Sequence, residues 1–197
     1  TLLRGNKKII KKIKRKEIVI KNVKSSILNN HIGYIQILSF MGTTTPNEFM
    51  EALENTKKTD SLIIDLRGNT GGLLDNAVFI ANLFIKNGDI VKIIYRNGYK
   101  KIISATPTEE SLDNGASASA SEIFSGALKD YNRATLVGKK TFGKGLVQKV
   151  VPLPNKSGVN ITIARYLTPK DNDINKLGIK PDVEIGNEFD FFLNNSK

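Results

Sequence analysis

Basic and aliphatic residues alternate loosely over positions 1–24 and end in "EIVIKNV", which predicts one or two solvated strands. "HIGYIQILSF" (31–40) alternates Ile, Tyr, Ile, Leu and Phe and predicts a further strand. "TPNEFMEALENT" (45–56) sets Phe49 and Leu53 at helical spacing, with Thr45 and Asn47 as candidate caps. "SLIIDL" (61–66) is a short apolar run, the mark of a strand buried on both faces. The glycine-rich loop "RGNTGG" follows it, and "LLDNAVFIANLFI" (73–85) returns to a helical period. "DIVKIIY" (89–95) and "KKIIS" (100–104) predict two strands around the turn "RNGY". Ala120, Ile123, Phe124, Ala127 and Leu128 fall on one face of a helix that ends near Asp130. "ATLVG" (134–138) predicts a strand and "KKTFGKG" a loop. "LVQKVVPL" and "VNITIARYL" predict a hairpin around "PNKSG", and "GIKPDVEI" a last short strand. Strands alternate with helices in the middle and β-structure dominates the end, so the class is α/β with a β-rich C-terminal part.

The 197 residues suffice for one sizeable core, and no linker divides 25–197. A chain that starts at Thr1 is expected to come from a longer precursor. No apolar run approaches the ~18 residues of a membrane span. The net charge of +11 is concentrated: residues 1–24 carry ten Lys or Arg against Glu17 alone, a net of +9. Such an arm suits nucleic acid or an anionic membrane surface. No aromatic residue precedes Tyr34, so stacking platforms are lacking there and nucleic acid is not expected as a partner. A membrane surface stays a candidate partner. Cysteine is absent, which removes disulfides, thiolate zinc sites and a cysteine nucleophile together.

The stretch "DNGASASASEIF" (113–124) carries the candidate chemistry. Ser119 and Glu122 fit a capping box, S-x-x-E, which by itself is a structural reading. A serine at a helix start is also a candidate nucleophile, and it then needs a base to take its proton. The one histidine, His31, lies in "NNHIGY" and reads as an exposed turn residue. The alternative base is a lysine kept neutral by desolvation. Lys144 sits between two glycines in "TFGKGLVQ", where the backbone can take unusual angles or approach a neighbour closely. Gln148, four residues on, is placed to hold its amine by a hydrogen bond. The glycine pair of "DLRGNTGG" can present backbone N–H groups to an anion. A phosphate loop is a poorer reading, since no lysine follows the glycines.

"LIIDLRGNTGGLL", "SASASEIFSGALKDYNRATLVGKKTFGKGLVQ" and "YLTPKDNDINKLGIKPDVEI" together resemble the carboxyl-terminal processing peptidases, or tail-specific proteases, from about Val19 to Ile185 with the blocks in family order. The resemblance implies a crotonase-like protease core of stacked strands and helices at 25–197. Residues 1–24 resemble only the final strands of the family's PDZ domain, so that domain is largely missing. It implies a serine endopeptidase that processes protein substrates near their C-termini through a Ser/Lys dyad. Ser119 is then the nucleophile, Lys144 the base and Gln148 its assistant. The 25-residue separation of Ser119 from Lys144 agrees with the family pattern. The oxyanion donors fall on the N–H of Ala120 and of one glycine of the Gly71–Gly72 pair. Ser117 and Ser121 become structural serines, and Glu122 a cap residue.

The resemblance implies no metal and no organic cofactor, protein or peptide C-terminal segments as partners, and work outside the cytoplasm, in a bacterial envelope or periplasm or an organelle lumen. One departure matters. The family's apolar strand before the serine box is replaced here by "SATPTEESLDNGAS", with Leu112 its one large apolar residue. Its polarity and proline exclude a central strand, so a discontinuity or disordered loop is expected between Ile103 and Ser117. A chain that had lost this strand would favour the alternative reading, a catalytically impaired relative that binds peptides or apolar ligands.

Overall fold

The computed structural model describes residues 2–5, 7–12, 20–29, 31–106, 117–154 and 156–185. A short antiparallel hairpin, β1 (Leu2–Arg4) and β2 (Lys7–Ile9), forms its own two-stranded sheet and is largely exposed. Among the described residues the first buried one is Val23, which opens β3 (Val23–Leu28). β3 pairs along its full length with β4 (Ile32–Ile37), so the chain has entered a core sheet before position 25. Sequence reasoning missed β3. Only Val23 of "VKSSIL" is buried, and the strand is held by its ladder with β4 more than by burial.

A helix, α1 (Thr45–Thr56), crosses from β4 to the parallel strand β5 (Ser61–Asp65), closing a three-stranded sheet in the order β3-β4-β5. Phe49 and Ala52 of α1 and Ile35 and Ile37 of β4 are buried. The expected caps Thr45 and Asn47 give way to Thr44 at the N-cap, which makes no side-chain cap bond, and Pro46 occupies the first turn. β5 also departs from expectation: it lies at a sheet edge, and Ile63 is 46% exposed while Leu62 and Ile64 turn toward the core. An unbroken apolar run therefore marks a strand covered on one face here.

The second sheet has six strands. β6 (Gly72–Leu73) leads into α2 (Leu74–Asn82), shorter than the 73–85 predicted. β7 (Asp89–Tyr95) and β8 (Lys100–Ser104) match the predicted hairpin. β9 (Ser117–Ala118) precedes α3 (Ala120–Asp130). β10 (Val137–Gly138) is all of "ATLVG" that is strand, and it pairs in parallel with β13 (Val183–Glu184). β11 (Leu146–Pro152) and β12 (Gly158–Leu167) form the expected hairpin, and the sheet order is β6-β9-β11-β12-β7-β8. The discontinuity expected before Ser117 falls on 107–116, which lie outside the described residues.

The helices α2 and α3 pack on one another against this sheet, and four phenylalanines tie the layers together. Ring centroids of Phe49 and Phe84 lie 6.1 Å apart, of Phe84 and Phe124 6.1 Å, and of Phe40 and Phe124 6.4 Å. The first two pairs are edge-on, the geometry that aromatic quadrupoles favour. Phe124 belongs to α3 and Phe40 follows β4, so this chain of rings spans both sheets and holds the start of α3 in place.

Candidate active site

The glycine loop is built on the segment around Phe40. The Phe40 N–H donates to the Gly71 carbonyl at 3.0 Å, and the Phe40 carbonyl accepts from the Leu73 N–H at 3.1 Å and from Asn76 Nδ2 at 2.7 Å. Gly72 has φ +149°, and a Cβ there would lie 2.3 Å from the Phe40 carbonyl carbon, so no other residue fits. Asn69 braces the loop from inside: its Nδ2 donates to the Ile37 carbonyl and its Oδ1 accepts the Gly71 N–H, both at 2.8 Å. Ahead of the loop, Asp65 accepts from the Arg67 guanidinium at 2.9–3.1 Å and from the Tyr34 hydroxyl at 2.5 Å. Burial alone would raise the Asp65 carboxyl, but these hydrogen bonds outweigh it and hold the group below the usual carboxylate range.

The serine box lies between this loop and β11. β9 pairs with β6 through Gly72↔Ala118 and Leu73↔Ser117, and with β11 through Gln148↔Ser117. The chain thus brings its glycine loop, serine box and Gln148 onto adjacent strands. Gln148 sits where the β11–β12 register shifts, and its side chain is half-buried. Ser119 is the N-cap of α3 and is 8% exposed. The Ala120 N–H opens the helix, where no intrahelical acceptor exists and the dipole favours negative charge. Ser121 Oγ reaches the Asn69 carbonyl at 3.4 Å, joining the serine box to the glycine loop.

The capping box expected of Ser119 and Glu122 is absent. The Ser119 side chain makes no cap hydrogen bond, and its carbonyl takes the helix bonds from the Glu122 N–H at 3.0 Å and the Ile123 N–H at 3.1 Å. The Glu122 carboxylate is 3% exposed and turns away from the cap. It accepts the Thr141 hydroxyl, the Gly143 N–H at 2.7 Å and the Lys144 N–H at 2.8 Å. A buried carboxylate needs donors, and the loop carrying Lys144 supplies three. Ser119 Oγ is thereby left out of its own helix cap.

Lys144 is held from the other side by Tyr166 of β12. The Tyr166 hydroxyl lies 3.0 Å from the Lys144 carbonyl and 3.2 Å from the Ser119 carbonyl, and the Tyr166 N–H donates to the Gly145 carbonyl at 3.0 Å. The two residues singled out in the sequence therefore share one buried hydroxyl. Burial first, and the nearby Glu122 charge second, push the Tyr166 phenol up, so it stays a neutral donor. The flanking glycines are required by contact. A Cβ on Gly143, at φ +87°, would sit 2.7 Å from the Gly178 nitrogen, and one on Gly145 2.7 Å from the Asn175 nitrogen. Phe142, between Thr141 and Gly143, is 90% exposed. His31 is exposed in the turn between β3 and β4.

Sequence reasoning singled out Ser119, Ala120, Lys144, Gln148, Gly71 and Gly72. It missed the loop-holding role of Glu122, the bridge made by Tyr166 and the brace made by Asn69. No short motif signals Glu122 or Tyr166 in these roles, since their partners lie 19–47 residues away; for Asn69 only the bond to Gly71 is local, and its other partner is 32 residues away. Among the described residues no cluster of three His, Asp or Glu groups could hold a metal ion.

Residues 31–185 match the profile of Peptidase family S41. The chain is 41% identical over 166 residues to the chloroplastic C-terminal processing peptidase of Tetradesmus obliquus, covering 80% of this chain and 36% of that protein. It is 40% identical over 181 residues to the carboxy-terminal processing protease CtpA of Bacillus subtilis (strain 168), covering 87% and 39%. Among solved structures, the photosystem II D1 C-terminal processing protease is similar with a TM-score of 0.72 at 33% identity, over 88% of this chain and 50% of that one. The chain spans about two-fifths of the length of these curated relatives. The profile match covers the glycine loop, the serine box and the lysine loop in one stretch, and the chain belongs to peptidase family S41.

Proposed function

We propose that this chain forms the catalytic core of a serine endopeptidase that processes protein substrates near their C-termini through a Ser119/Lys144 dyad. The observation that carries the reading is the double tether of the two residues. Glu122 of the serine helix grips the Lys144 N–H, and the Tyr166 hydroxyl contacts both carbonyls. In the proposed reaction Ser119 Oγ attacks the scissile carbonyl, and neutral Lys144 Nζ takes the hydroxyl proton. The tetrahedral oxyanion is held by the Ala120 N–H and one N–H of the Gly71–Gly72 pair, at the positive end of α3. Lys144 returns the proton to the leaving amine, and water then releases the acyl-enzyme by the same base. Gln148 orients the amine from the neighbouring strand.

Relatives named as carboxyl-terminal processing proteases support substrate C-termini as the target, and a chloroplastic relative supports work outside the cytoplasm. No helix among the described residues is long and apolar enough to cross a membrane. The exposed Arg4, Lys7, Lys8, Lys11 and Lys12 suit an anionic membrane surface as a further contact.

The test is a pair of measurements on the purified protein. A fluorophosphonate probe attaches to Ser119 alone when labelled peptides are mapped by mass spectrometry; attachment at Ser117 or Ser121 moves the nucleophile by two residues. Lys144→Ala and Ser119→Ala abolish cleavage of an unstructured protein substrate, while His31→Ala cleaves at close to the wild-type rate. Loss of activity in a folded His31→Ala variant overturns the dyad.

A further inference from the structure

We infer that Tyr166 is the positioning residue of the dyad, fixing the lysine loop against the nucleophile by one shared hydroxyl. The inference rests on the Ser119/Lys144 reading above. Tyr166 is fully buried, at 0% exposure, in the strand next to the one that follows Lys144. Its backbone pairs with Ile93 of β7, so its ring grows from an interior strand of a six-stranded sheet.

Both ends of Tyr166 hold the lysine loop. The N–H takes the Gly145 carbonyl, and the hydroxyl takes the Lys144 carbonyl. The same hydroxyl reaches the Ser119 carbonyl. The two acceptors differ in what else they have. The Ser119 carbonyl also accepts from the Glu122 and Ile123 N–H groups, so it stays satisfied without Tyr166. The phenol proton is thus directed mainly to Lys144, with Ser119 as the second branch of a shared bond. A phenol has one proton to give, so the two carbonyls must converge on one point for both distances to hold. That convergence links the backbones of nucleophile and base directly, in addition to the Glu122 tether. Burial, and then the nearby Glu122 charge, raise the phenol pKa and keep the proton on the hydroxyl.

Tyr166→Phe removes the hydroxyl and keeps the ring. The lysine loop keeps its Glu122 tether and the bond from the Tyr166 N–H to the Gly145 carbonyl, but loses the direct link between the Lys144 and Ser119 carbonyls, which loosens its register to Ser119. The expected result is a fall in kcat on the order of tens- to a hundredfold, with KM for a peptide substrate within about twofold. The second-order rate of fluorophosphonate labelling at Ser119 falls in parallel, because that reaction needs the activated nucleophile and no peptide subsite. Rates are expressed per labelled site, so a partly unfolded sample does not mimic the effect. Tyr99→Phe, in the exposed turn before β8, leaves both rates at wild type.

A hydroxyl that serves packing alone lowers the melting temperature of Tyr166→Phe and leaves kcat per labelled site unchanged, which overturns the inference. If Tyr166→Phe does not fold, 3-fluorotyrosine placed at position 166 keeps the hydroxyl and gives a 19F resonance. That resonance shifts when Ser119 is phosphonylated and again in Lys144→Ala; no shift in either case overturns the inference. The two readings fail separately. Activity surviving in Ser119→Ala removes the dyad and this role with it. Inactive Ser119→Ala and Lys144→Ala variants beside a wild-type Tyr166→Phe variant remove this role alone.

Discussion

Replacing Glu122 separates a cap from a loop tether. In Glu122→Ala the Thr141 hydroxyl and the Gly143 and Lys144 N–H groups lose a common acceptor that is 3% exposed. A hydrogen bond to a charged group contributes about 1.5–3 kcal/mol. The sum over three is reduced because removing the carboxylate also removes its own desolvation cost. A net loss of about 2–5 kcal/mol follows, and at ~2–4 °C per kcal/mol for a chain of this size the melting temperature falls by roughly 4–20 °C. A helix cap is worth about 1 kcal/mol and acts on the helix start alone. Glu122→Gln sharpens the distinction. Its carbonyl oxygen replaces the acceptor of Thr141 and Gly143, while its NH2 faces the Lys144 N–H and cannot accept from it. Hydrogen exchange followed residue by residue reads the outcome. In Glu122→Gln the Lys144 amide exchanges faster while Gly143 stays protected; in Glu122→Ala both are released. Unchanged protection at Gly143 and Lys144 in Glu122→Ala refutes the tether, whatever the melting temperature does.

Gly72→Ala forces a Cβ to within 2.3 Å of the Phe40 backbone, so it costs more than about 3 kcal/mol or yields no folded protein; a folded variant within 1 °C of wild type contradicts the close approach. The Asp65 carboxyl, held low by Arg67 and Tyr34, contributes stability that is full above the unfolded aspartate value of about 3.9 and is lost as pH falls through the lower folded value. Urea unfolding of Asp65→Asn between pH 2 and 5 therefore shows a shallower acid slope than wild type, and equal slopes discount the network. Lys92 carries a side chain only 10% exposed and pairs with Asp171 at 2.7 Å and with Asp89 at 3.8 Å, so Asp171→Ala leaves a largely buried ammonium with only its longer pair and lowers the urea midpoint more than Lys92→Met does; the reverse order argues against the pairing.

What the sequence makes legible here is local. The helical period of "ASEIFSGALKD" marks α3, and the β-branched run of "DIVKIIY" marks β7, in which Ile90, Val91, Lys92 and Ile93 are buried in succession. β3 was invisible because its partner, not its own pattern, makes it a strand. Residues 107–116, where polarity argued against a strand, lie outside the described residues. The candidate site divides in the same way. Ser119, Lys144 and the glycine pair stand out by their immediate neighbours. Glu122 was misread as a cap because S-x-x-E is a four-residue signature, and its true partners are 19–22 positions away. Tyr166 reaches Ser119 across 47 positions and leaves no trace in any short window.

The lysine loop also has a place in time. Gly143 and Gly145 press against the backbone of 174–178, and the bridging hydroxyl comes from position 166, all made after Ser119 and Lys144. At about 5–20 residues per second, roughly 2–7 s of synthesis separate Lys144 from Gly178. During that interval a growing chain contains Ser119, Lys144 and the Glu122 tether between their segments, but neither the Tyr166 bridge nor the 174–178 backbone against which the lysine loop packs. The order of the residues along the chain therefore acts as a delay, completing the lysine loop only once positions 166–178 have been made.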